Sequence, residues 1–162
     1  MKTIPIETVE EIWGRIAQAS ESESQALAQR MQKEQPVIMI YLLAMDEGLF
    51  EETERGRLIE LGAILWQAMA AAERGKRMIT ETEVEQAEEA NLKWLEELDA
   101  GRETDFLAGV RGLLQGYNQM PLLGALLEAL MQGHEEAPEL APENIGMALV
   151  YLKTVIDCLD KP

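Results

Sequence analysis

Two segments near the first third of the chain restrict its folding more than any other feature. Pro36-Val37-Ile38-Met39-Ile40-Tyr41-Leu42-Leu43-Ala44-Met45 is apolar on every side, and Leu58 to Met69 is nearly so. A helix that is hydrophobic all round has no face to offer water and must be covered by other protein. The expectation is a helical hairpin, Pro36 to Ala72, at the centre of a domain with the remaining helices packed over it. Pro36 is placed to open its first helix and Gly48 to close it.

The other segments repeat the helical theme. Val9, Ile12, Trp13, Ile16 and Ala17 recur at steps of three and four and predict a helix to about Ala19. Ser20 with Glu23, or Ser22 with Gln25, forms a capping box for a second helix that ends before Pro36. Thr80 or Thr82 caps another, whose inward stripe is Val84, Ala87, Asn91, Trp94 and Leu98. Thr104 or Asp105 caps the next, with Phe106, Leu107, Val110, Leu113 and Leu114 inward. Leu122 to Met131 is again apolar nearly all round. After a loop with two prolines, Glu143 to Asp160 turns Ile145, Leu149, Leu152, Val155, Ile156 and Leu159 inward. The fold class is therefore all-α, a compact two-layer helical bundle of about seven or eight helices. It reads as a single domain over 1–162, with possible sub-halves 1–77 and 80–162. The core is expected to be built mostly by the Pro36–Ala72 hairpin and the Pro121–Asp160 pair. No signature recurs at a solenoid period.

Charge narrows the partners. Thirty acids against 14 bases give a formal net charge of −16. Such a surface repels nucleic-acid phosphates and anionic lipid, and it favours a basic partner or a cation. No apolar run reaches the roughly 18 residues of a membrane span, and the start has no signal-peptide h-region. The single cysteine, Cys158, forms no intrachain disulfide and reads as a buried, inert thiol on the last helix. The expected setting is the cytoplasm, with no membrane and no nucleic acid.

Chemistry is sparse. There is one histidine, His134, with no glutamate three residues before it, which excludes histidine-based di-iron sites in their usual form, and its Gly/Pro-bounded loop disfavours a phosphotransfer role. Arg74-Gly75-Lys76-Arg77, the only basic cluster, reads as a helix C-terminus. Ser20, Ser22 and Ser24 are capping residues, and no phosphate-loop pattern occurs. One carboxylate constellation has metal-ligand spacing: Glu85 with Glu88 and Glu96 with Asp99, each at i and i+3 and able to share a hard cation such as Mg²⁺. Both pairs fall on one helix, so a solvated acidic face is the leading reading. Gly109, Gly112 and Gly116 smooth one side of a helix and offer a close-packing face for a neighbour or a second subunit.

By elimination the leading expectation is a non-catalytic scaffold or adaptor binding another protein or itself, with no cofactor. Trp13, Trp94 and the glycine face are its candidate contacts. The alternatives are a Mg²⁺-dependent phosphohydrolase-type enzyme using Glu85, Glu88, Glu96 and Asp99, and an acidic regulator capturing a basic partner through residues 81–105.

Overall fold

The computed structural model of the protein describes residues 2–45, 48–72, 76–99, 103–131 and 140–161. Among these are eight α-helices and no strand. In chain order they are α1 (Ile6–Ala17), α2 (Glu21–Glu34), α3 (Pro36–Leu43), α4 (Glu52–Ala71), α5 (Glu81–Asp99), α6 (Glu103–Gly116), α7 (Met120–Met131) and α8 (Ile145–Leu159). A 3-10 turn, Pro142–Asn144, leads into α8.

The centre is not the expected hairpin. Between Ala148 and Leu159 only Tyr151 and Asp157 escape full burial, and α8 packs most extensively against α5 and α4. Helix α4 supplies Leu58, Leu61, Ile64, Leu65, Trp66 and Met69 to the same core. By contrast α3 buries Ile38, Met39 and Leu42 but leaves Ile40 62% and Leu43 52% exposed. An all-apolar sequence fixes that a helix will seek cover, but not that this chain supplies it on every side. Helix α3 is also shorter than expected: it ends at Leu43, with Ala44 as its C-cap, so Gly48 lies in the following turn. Helix α1 likewise stops at Ala17.

The helix starts follow local chemistry. Ser20 Oγ accepts from the Glu23 N–H at 3.2 Å, the first of the two anticipated boxes. Thr80 Oγ1 accepts from the Glu83 N–H at 3.3 Å, while Glu83 accepts from the Thr80 N–H at 2.9 Å. Glu54 accepts from the Glu51 N–H at 2.9 Å and from the Ala141 N–H at 3.0 Å, tying the start of α4 to the entry of α8. Burial alone would raise the Glu54 pKa, but those two backbone donors and the Asn144 amide outweigh it and hold the carboxyl below its usual range.

Two buried glutamines clamp extended segments to the bundle. Gln35, only 1% exposed, donates to the Arg77 carbonyl at 2.8 Å and accepts from the Ile79 N–H at 3.0 Å. Gln119, fully buried, accepts from the Ile4 N–H at 3.0 Å and donates to Asp160 at 2.7 Å. A side-chain amide offers both a donor and an acceptor, so one glutamine satisfies a stretch of backbone that has no strand to pair with.

Gly62 faces Leu42 where α3 packs against α4. A Cβ there would stand 2.5 Å from Leu42 Cδ1, and Leu42 is fully buried. We predict that Gly62→Ala destabilises the fold by about 1 kcal/mol, because an overpacking cost of roughly 1–3 kcal/mol exceeds a helix-propensity gain of about 1 kcal/mol. Gly56, in the same helix with nothing within 4 Å, serves as the control. Chemical denaturation should show Gly56→Ala stabilising; equal stabilisation of both variants refutes the close-packing account.

Candidate functional site

The most polar part of the interior lies where α5, α8 and the α6–α7 junction meet. Lys153, on the central helix and only 7% exposed, donates to Asn91 Oδ1 at 2.8 Å and Asp157 Oδ2 at 2.7 Å. Its ammonium also stands 4.9 Å from the centre of the Tyr117 ring. Asn91 donates to Asp157 Oδ2 at 3.0 Å and Thr154 Oγ1 at 3.1 Å, and Thr154 donates to the Val150 carbonyl at 2.7 Å. The Tyr117 hydroxyl donates to Asp157 Oδ1. Burial, then the Asp157 charge, pushes the Tyr117 pKa far above its ordinary value, so this phenol stays protonated.

Every polar group of Asn91 is used, and the lysine charge is met by a carboxylate. None of the three cavities described below is lined by Lys153, Asn91 or Asp157. The arrangement is that of a satisfied structural network joining three elements. The sequence reading put Asn91 on an inward stripe but missed Lys153 and Asp157. Their signal was present: a Lys and an Asp four residues apart on a helix otherwise apolar, facing an inward Asn. Cys158 is buried next to this network, as expected, and burial first of all raises its thiol pKa to about 11.

Cavities open between other helices. One of about 310 Å³ lies among α1, α4 and α7 and includes Trp13, Arg57 and Glu128. Another, of about 350 Å³, lies among α1, α2 and α4 and includes Arg15, Arg30 and Gln67. Arg30 there is engaged by Glu34 at 2.8 Å and stacks 5.4 Å from the Trp66 ring.

The third cavity, about 200 Å³, lies between α3 and α5 and joins apolar to acidic groups. Val37, Ile40 and Tyr41 line it from α3; Glu81, Val84, Glu85 and Glu88 line it from α5. The spacing i, i+4, i+7 puts the three glutamates on one face of α5. The Tyr41 ring packs edge-on against Tyr151, with centroids 5.7 Å apart. Its hydroxyl is sealed from solvent between Glu88 and Thr154. Burial, then the Glu88 charge, raises its pKa well beyond the normal phenol value. Met78, 57% exposed, stands in the segment that Gln35 clamps beside the start of α3.

The anticipated site residues are thus divided. Glu85 and Glu88 share a cavity with Glu81. Glu96 lies roughly 12 Å further along the helix axis than Glu88, at 1.5 Å per residue, and the Asp99 side chain is outside the described residues. No group of three or more His, Cys, Asp or Glu side chains able to hold a metal occurs among the described residues. Gly109 is covered within the chain by Leu98, whereas Gly112 and Gly116 have nothing within 4 Å of an added Cβ. Trp13 and Trp94 are half-buried against the core. His134, Arg74 and Gly75 fall outside the described residues. Arg77 pairs with Glu83 at 2.6 Å. Among the described residues, no helix is long and apolar enough to cross a membrane. No protein-family model, no curated protein and no solved structure matches the chain.

Two predictions follow from these side chains. Asp157→Ala should cost about 3 kcal/mol in chemical denaturation, the low end for a buried ion pair that loses one partner, since Asp157 keeps some solvent contact. A loss under about 1 kcal/mol would mean that Lys153 finds water without it. The Arg77 guanidinium, followed by the Thr80 N–H, lowers the Glu83 pKa from 4.5 to about 2. A depressed folded-state pKa contributes stability above the unfolded value and loses it as pH falls from 4.5 toward 2. The stability gap between the wild type and Glu83→Gln should therefore close over that window, and a pH-independent gap would contradict it.

Proposed function

We propose that the protein is a non-catalytic interaction module that receives another protein on the face formed by α3 and α5. The reading rests on one observation: Ile40 and Leu43, large apolar side chains on one short helix, are more than half exposed beside an acidic cavity. Exposing them costs hydrophobic stabilisation of roughly 1.5–3 kcal/mol for each side chain that could have been buried. Apolar side chains grouped at one place and rimmed by charge are the anatomy of a contact surface. The described interior supports the non-catalytic part, because its ionisable pair, Lys153 and Asp157, is engaged by hydrogen bonds and lines none of the three cavities.

The test is photocrosslinking in the source cells, with a photoreactive residue replacing Leu43 or, as a control, the exposed Arg111 on α6. Discrete protein adducts should form from position 43 and not from 111. Equal adduct patterns from both positions, or none from 43, would overturn the reading.

A further inference from the structure

The cavity beside Ile40 has a size and charge that specify what enters it. At about 200 Å³ it is smaller than the roughly 300–1,000 Å³ of sites that enclose a metabolite or cofactor. It suits one long side chain. Val37, Ile40 and Val84 offer apolar contact to a methylene stem, while Glu81, Glu85 and Glu88 carry charge for a cationic head. Tyr41 lies on the same wall, next to Glu88. Arg57 pairs with Glu60 at 3.2 Å and Lys93 with Glu89 at 3.1 Å, whereas no ion pair to Glu81, Glu85 or Glu88 occurs among the described residues. Ile40 and Leu43, three residues apart on α3, extend the apolar surface beyond the cavity.

We infer that the α3–α5 face takes a basic amphipathic helix of a partner protein, one of whose lysine or arginine side chains enters the cavity while its apolar stripe covers Ile40 and Leu43. This rests on the interaction reading above and adds the chemistry of the partner. A helix is the matching shape because anchors at i, i+3 and i+4 span the short ridge that Ile40 and Leu43 form. The net charge of −16 steers such a segment toward the protein, and the cavity fixes its register.

The probe is a labelled synthetic helical peptide with a leucine stripe flanked by lysines, compared with versions carrying glutamine or glutamate in place of lysine. Fluorescence anisotropy should show binding of the lysine peptide alone, weakening as salt is raised. Binding should fall by about tenfold or more in Glu85→Gln/Glu88→Gln and in Ile40→Ser/Leu43→Ser. Glu10→Gln/Glu11→Gln, which removes the same charge from α1, should leave it unchanged.

If the glutamine peptide binds as tightly and only Ile40→Ser/Leu43→Ser matters, the basic-partner inference fails while the contact surface stands. If both glutamate pairs matter equally and the apolar pair does not, binding follows bulk charge and the inference fails. No binding of the lysine peptide also overturns it, and the crosslinks from position 43 then decide separately whether the interaction reading survives.

Discussion

The fold depends on neutralising one charge at its centre. Helix α8 is enclosed by its neighbours, yet it carries Lys153 among its buried residues. An ammonium in that position needs a carboxylate and further acceptors, or its desolvation would exceed what the surrounding apolar contacts return. Asp157 one turn away supplies the charge, and Asn91 from α5 supplies the acceptor that orients both. Tyr117 closes the arrangement from the α6–α7 junction. The apolar surface of α8 determines that neighbours gather around it, and this polar set restricts which rotation of α5 against α8 satisfies every group. A sliding or rotated α5 would strand the lysine.

The exposed α3 face follows from a second constraint. Gln35 holds the segment 77–79 against the start of α3, which fixes where α5 begins and brings its first two turns alongside Val37 and Ile40. The Arg77–Glu83 pair and the Thr80 capping box stiffen that junction. The acidic cavity is therefore placed by hydrogen bonds at the start of α5 and by the close packing of Leu42 of α3 on Gly62 of α4. None of these supporting residues lines the cavity itself.

The helices were legible in the sequence because their caps and periodicities are local: Ser20, Thr80, Pro36 and Pro121 mark starts that the structure uses or brackets within a residue. Which helix stands at the centre was not legible. Hydrophobicity along α3 and α8 is comparable to the eye, and Ile40 reads like Leu152 until neighbours are assigned. Mean composition cannot distinguish a helix that is covered from one left uncovered. Glu85 and Glu88 were visible as a pair, but their cavity was not, since Val37, Ile40 and Tyr41 arrive from over 40 positions earlier. The buried network was half visible through Asn91. An inward asparagine demands partners, and Lys153 and Asp157 were the available ones.

Gln119 joins parts of the chain that are far apart in order. It binds the carbonyl of Lys2 and the N–H of Ile4 while also donating to Asp160, and Asn118 beside it donates to Asp160 at 2.8 Å. Residues 2–4 and 160 are thus bridged through Gln119 and Asn118, so the path from one to the other forms a nearly closed ring. Separating these two points breaks the amide hydrogen bonds of Gln119 and Asn118 and draws Ile4 out of the core. Mechanically, the bundle has a latch, and the latch is a pair of adjacent side-chain amides.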